Sequence, residues 1–122
     1  MDVLEQLQNT LQSRLTADPT TSYVAQLYHK GMNTLLKKVG EECAETIIAA
    51  KDAEQSGTNE DLVYEMADLW FHSMALLTYC RVDYKDVLQE LARRFNMSGL
   101  EEKAQRISSA SQGDHNHLKG EP

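Results

Sequence analysis

Proline is scarce in this chain of 122 residues: Pro19 and Pro122 are the only two. The alternation of β-branched and polar residues that marks half-buried strands is missing as well, so the pattern excludes a sheet and an all-α fold is expected. Cysteine is almost absent. Cys43 and Cys80 both sit among apolar neighbours in helical patterns, which favours two buried free thiols over a disulfide or a metal pair. No apolar run approaches the roughly 20 residues needed to cross a bilayer, and the N-terminal MDVLEQLQNT is acidic and amphipathic, unlike a signal peptide. A cytoplasmic protein without membrane contacts is expected. Basic residues are also in deficit, 12 Lys and Arg against 19 Asp and Glu, for a net charge of -7. That balance argues against nucleic-acid partners, while a local group of lysines can still hold a small anion.

What is present is ordinary for one globular domain: 41% hydrophobic and 25% charged residues, in a chain small enough that packing against a second copy would help it. Apolar periodicity divides the chain into helices. Asp2 can cap a first helix to about Leu15, with Val3, Leu4, Leu7, Leu11 and Leu15 on one face. After TADPTTS, Thr21 or Ser22 can cap a short second helix that Gly31 ends. A long third helix, from about Asn33 to Glu54, carries a stripe of Leu35, Leu36, Val39, Cys43, Ile47 and Ala50. QSGTNE turns the chain into a fourth helix, about Glu60 to Cys80, with Leu62, Val63, Met66, Leu69, Trp70, Met74 and Leu77 directed to a core. A fifth helix from Asp83 holds Val87, Leu88, Leu91 and Phe95, and Ser98 with Glu101 has the spacing of a capping box for a sixth. The helical pattern ends at Ile107. Residues 108–122 are polar and are expected to form a flexible tail to the helical domain of residues 1–107; their His115 and His117 suggest nothing specific.

The third and fourth helices carry an unusual set of acids. Glu42 and Glu45 share a helix face, Glu41 also reaches Glu45, and Glu65 with Asp68 repeats the spacing on the next helix. One turn separates the two helices, so an antiparallel αα-hairpin is expected, with Glu45 and Glu65 at similar distances from the turn. EECAE alone is most often a solvated face. Glu65 and Asp68, however, lie between Met66, Ala67, Leu69 and Trp70, where no broad polar face is available. Carboxylates gathered between helices repel by about 4 kcal/mol per close pair at an effective dielectric near 20. A divalent cation relieves that repulsion. Oxygen ligands alone select a hard ion, Mg²⁺ with Mn²⁺ as a substitute, and Zn²⁺ is disfavoured without a His or Cys cluster. Such a site suits hydrolysis of a nucleotide anhydride. A helical dimerisation module with surface acids is the non-enzymatic alternative.

EECAE followed by EMAD resembles the ExxE…ExxD signature of the all-α nucleotide pyrophosphatases, which include MazG-type enzymes and dimeric dUTPases. SYVAQLYHKGMNTLLKKVGEECAETIIAAKD, DLVYEMADLWFHSMALL, DVLQELARRF and SGLEEKAQR are similar, within that superfamily, to the phosphoribosyl-ATP pyrophosphatase family, over residues 3 to 107. The resemblance implies a helical bundle whose core is completed by dimerisation. It also implies Mg²⁺-dependent hydrolysis of phosphoribosyl-ATP to phosphoribosyl-AMP and pyrophosphate, the second step of histidine biosynthesis. Carried over, Glu42, Glu45, Glu65 and Asp68 are the metal carboxylates, and Glu41 is a further ligand, a contact through water, or the base for the attacking water. A dNTP-type pyrophosphatase is the enzymatic alternative.

Lys37 and Lys38, one turn before Glu41, are candidates for phosphate contacts, whereas Lys51 reads as surface charge. Ser22, Tyr23 and Lys30 fall in segments that match the family and are candidate substrate contacts. His72, one turn after Asp68, can orient a ligand or simply pack.

Overall fold

The computed structural model describes residues 2–96. The chain divides into two compact units, Met1–Tyr84 and Lys85–Pro122. All regular structure among the described residues is helical: α1 Val3–Arg14, α2 Tyr23–Lys30, α3 Met32–Ser56, α4 Glu60–Tyr79 and α5 Tyr84–Leu91, followed by a π-helical turn at Ala92–Asn96. The expected sixth helix, the tail and its two histidines lie outside the described residues.

Helix boundaries follow local chemistry. Asp2 Oδ1 accepts from the Glu5 amide at 2.8 Å, and Ser22 Oγ accepts from the Ala25 amide at 3.2 Å; each satisfies a donor that a helix start leaves unpaired. Between them, Asp18 Oδ1 takes both the amide and the hydroxyl of Thr20 at 2.9 Å, which holds its carboxyl below the usual range and closes the turn. Gly31 ends α2 and begins α3 in one residue: its amide donates to Leu27 O, its carbonyl accepts from the Leu35 amide, and its φ of 99° is a conformation open to glycine. Gly57, with φ 79°, ends α3 in the left-handed cap expected of a glycine there.

α3 and α4 form the expected antiparallel hairpin, with α1 packed on α4 and α2 on α3. The core lies toward the end of the hairpin away from the Gly57 turn. There Leu11, Val24, Leu27, Tyr28, Leu35, Met74, Ala75 and Tyr84 pack together, with Leu4, Leu7, Leu15 and Phe71 against them. Tyr28 donates to Ala75 O at 3.2 Å and stacks on Tyr79; burial pushes its phenol up to about 12. Gln8, also buried, accepts from the Tyr84 amide at 3.0 Å, tying α1 to the last residue of the first unit.

The expected stripe of α3 is corrected. Leu35 is buried, but Leu36, Cys43, Ile47 and Ala50 are exposed, and the face turned inward is Leu35, Glu42 and Ala49. These three recur at intervals of seven, so they share one side of the helix, and the side next to it keeps its hydrocarbon outward. On α4, Val63, Met66 and Trp70 are likewise exposed, while His72, Met74, Ala75 and Thr78 are buried. Both cysteines are free and exposed, against the expectation of buried thiols; Cys43 sits on the outward stripe of α3.

In the second unit, the helix expected to run through Phe95 gives way to the π-helical turn. Glu90 there grips Arg93 at 2.6 and 3.1 Å and Arg94 at 2.9 Å, and these two guanidinium groups hold its carboxyl down to about 2.

Candidate functional site

The inward face of α3 and the facing turn of α4 bring three carboxylates together. One oxygen from each of Glu42, Glu45 and Glu65 lies within 4.8 Å of the others. Glu42 is 5% exposed, Glu65 is half-buried, and Glu45 opens to solvent. Helix periodicity places Glu42 and Glu45 on one side, and the hairpin register supplies Glu65 across the interface. Thr46 fixes that register: its hydroxyl lies 2.8 Å from Glu42 O on its own helix and 3.4 Å from Glu65 O on the other.

The electrostatics are those of a strained cluster. Burial first, then the charges of Asp68 and Glu45, raises the Glu42 carboxyl above its usual value; His72 and Lys38 act the other way. Glu65 is raised by desolvation, by the charge of Glu45 and by a hydrogen bond with it, and further by Asp68 and Glu42. Glu42 Oε1 and Glu65 Oε1 are buried with no hydrogen-bond partner. Two orphaned carboxylate oxygens in one cluster carry a free-energy penalty that protein groups leave unrelieved. A hard divalent cation fits that donor set, since it takes oxygen ligands and offsets like charge.

Glu42, Glu45 and Glu65 form the trio. Asp68 is half-buried beside it and acts on both Glu42 and Glu65 through its charge. Glu41 is exposed, outside the trio, and pairs with Lys38 at 3.4 Å. Lys38 reaches the rim of the site: Tyr23 first, then Glu41 and Glu42, raise its ammonium above the usual value against the effect of burial. Lys37 and Lys30 are exposed. Lys51 pairs with Glu54 at 3.0 Å, in keeping with surface charge. Ser22 serves as the cap of α2, with Tyr23 next to it on the first turn.

His72 proves to be an integral part of the site. It is buried, its Nδ1 lies 2.9 Å from Asp68 O and 4.0 Å from Glu42 Oε2, and its Nε2 lies 2.9 Å from Tyr23 Oη. The Asp68 contact follows from i, i+4 spacing, but the Tyr23 contact joins residues 49 apart and has no local signal. Thr46 was equally hidden, because a mid-helix threonine ordinarily bonds its own i−4 carbonyl, as this one also does.

Residues 4–95 match the phosphoribosyl-ATP pyrophosphohydrolase family. A protein of Hydrogenovibrio crunogenus (strain DSM 25203 / XCL-2) named phosphoribosyl-ATP pyrophosphatase is 54% identical over 105 residues, covering 86% of this chain and 93% of its own length. The matched region contains both acidic helices, the Tyr23–His72 contact and all of α1 to α4 but its first residue. On that evidence the chain belongs to the phosphoribosyl-ATP pyrophosphohydrolase family.

Proposed function

We propose that this chain is the enzyme that hydrolyses phosphoribosyl-ATP to phosphoribosyl-AMP and pyrophosphate, the second step of L-histidine biosynthesis, with Mg²⁺ held by Glu42, Glu45, Glu65 and Asp68 and Mn²⁺ as a substitute. The observation that carries the metal reading is the pair of orphaned oxygens, Glu42 Oε1 and Glu65 Oε1, inside a trio of carboxylates. Family membership and the relative's name support the substrate. Bound there, the ion supplies a clamp on phosphate oxygens and a lowered pKa for coordinated water.

The chain's own groups divide the remaining work. Glu42, fixed by burial, and Glu65, across the hairpin, anchor the buried side, while Glu45 faces the solvent from which substrate arrives. Glu41, outside the trio, is the carboxylate left to orient the attacking water and accept its proton. Lys38, with Lys37 and Lys30 farther out, meets the negative charge of the phosphate chain, and Ser22 and Tyr23 complete the wall from α2.

The enzyme acts as a homodimer in the cytoplasm. Support for the dimer comes from apolar surface that one copy leaves open: Ile47 and Ile48 on α3 are 65% and 60% exposed, and Val63 and Trp70 on α4 are 66% and 56% exposed. Val63, Met66 and Trp70 also line a groove of about 520 Å³ with Val3 and Leu7 of α1.

The deciding experiment measures pyrophosphate release from phosphoribosyl-ATP and, in parallel, from a panel of dNTPs, with and without Mg²⁺. Glu45→Ala and Asp68→Ala should each lower the Mg²⁺-dependent rate on phosphoribosyl-ATP by about a hundredfold or more. Near wild-type rates in both would refute the ligand assignment, and preference for a dNTP would refute the substrate.

A further inference from the structure

Past Glu42, α3 meets α4 with little bulk. From Cys43 to Ser56 the residues of α3 that are not exposed are Thr46, Ala49 and Ala53, while Ile47 and Ile48 keep their hydrocarbon outward. The large core side chains lie at the other end of the hairpin, around Leu35 and Met74. Interlocking side chains ordinarily key one helix against another, and the residues of α3 that face inward here are too small to do so. A polar link takes that part.

Thr46 is that link. Its hydroxyl donates to Glu42 O at 2.8 Å and to Glu65 O at 3.4 Å, one proton shared between carbonyls of two helices. Those carbonyls belong to the two residues whose Oε1 atoms are buried without partners. The hydroxyl thus ties together the main chains from which both orphaned carboxylates extend, and it sets their separation one side chain's length behind the oxygens.

That separation matters more to one cation than to another. Mg²⁺ demands oxygens at about 2.0–2.1 Å in a near-ideal octahedron, whereas Ca²⁺ accepts about 2.3–2.6 Å and looser geometry. A hairpin free to widen by a few tenths of an ångström forfeits the first ion before the second. We propose that Thr46 is a positioning residue that sets the span between Glu42 and Glu65 and so makes the carboxylate site select Mg²⁺ over the larger Ca²⁺. This rests on the reading of these acids as ligands of a divalent cation.

The test is calorimetric titration of the full chain with Mg²⁺ and with Ca²⁺, in wild type, Thr46→Val, Thr46→Ala and Thr46→Ser, with urea denaturation in EDTA alongside. Valine keeps the shape and loses the hydroxyl, alanine removes both branches, and serine keeps the hydroxyl alone. Thr46→Val and Thr46→Ala should each raise the Kd for Mg²⁺ about tenfold, the size expected when a group behind a metal ligand is lost, and change that for Ca²⁺ by about twofold at most. Thr46→Ser should keep the wild-type preference. A threonine that served only the fold would lower the urea midpoint of the metal-free protein and leave the ratio of the two Kd values unmoved.

A native Kd for Mg²⁺ without the hydroxyl, an equal loss for the two ions, or a serine variant that behaves like valine overturns the proposal and leaves the carboxylates as ligands. A wild type that binds neither ion refutes the ligand reading itself and the proposal with it. If either Thr46→Val or Thr46→Ala fails to fold, the other decides together with Thr46→Ser.

Discussion

Leu35 and Glu42 stand on the same side of α3, seven residues apart, and are 0% and 5% exposed. Their surroundings are opposite. Leu35 is enclosed by hydrocarbon from α1, α2 and α4, whereas Glu42 meets two other glutamates and keeps one oxygen without a partner. One helix therefore carries two kinds of buried position: one that holds the fold together and one that the fold must tolerate. Burial at the first releases apolar surface from water, and burial at the second withholds water from charge. The lesson is that the two should respond to substitution with opposite sign.

The largest effect expected from that contrast is on catalysis. Glu42→Met, which keeps length and removes charge, should abolish the thermal stabilisation expected of the wild type in Mg²⁺, about 2.7 kcal/mol at a hundred times the Kd, together with activity. Differential scanning calorimetry over a Mg²⁺ series reads this; an unchanged Mg²⁺ response would show the two positions to be alike. Next, Leu35→Ala should cost about 3 kcal/mol, or roughly 15 °C in Tm, through loss of contacts and the cavity left behind. In the metal-free protein Glu42→Met should move the other way, stabilising by about 1–2 kcal/mol in urea denaturation with EDTA present.

A pH scan of the metal-free protein sharpens the same comparison. Glu42 and Glu65 have folded pKa values above the ordinary 4.5, so the folded state binds more protons than the unfolded one. Their contribution is present below the unfolded value and is lost as pH rises through the folded values. Asp18, held low by Thr20, works in reverse, its contribution fading as pH falls below its ordinary 3.8. Without metal, Tm should fall as pH rises above the ordinary carboxylate range, and Glu42→Met should flatten the decline. The smallest effect is at the entrance to α2. Ser22→Ala should cost about 1 kcal/mol through loss of the cap to Ala25, read as a shift in denaturation midpoint.

Helix ends were legible because their signals are local: Asp2, Ser22, Gly31 and Gly57 each act on backbone within four residues. The hairpin was legible from its short turn, and the trio from i, i+3 spacing on two antiparallel helices. The inward face of α3 was not. The stripe through Leu36, Cys43 and Ile47 is as helical as that through Leu35, Glu42 and Ala49, and hydrophobicity alone chose the first. A buried acid reverses the usual inference from composition, since its face carries less apolar character than the one beside it. The Tyr23–His72 contact depends on how α2 lies across α4, and no spacing in the chain encodes that. The π-helical turn depends on one carboxylate bonding two successive arginines, a competition that periodicity does not register.

Gly31 turns one backbone torsion into a joint. A methyl group at that position would find room, its nearest neighbour being Tyr79 Oη at 3.8 Å, so the obstacle to an L-residue is the angle itself. With no spacer between α2 and α3, the direction of the short helix, and hence the reach of Tyr23 toward the acids, is set at a single α-carbon. Chirality alone should decide what is accepted there: a D-alanine introduced by chemical ligation preserves the joint, and its mirror image bends it.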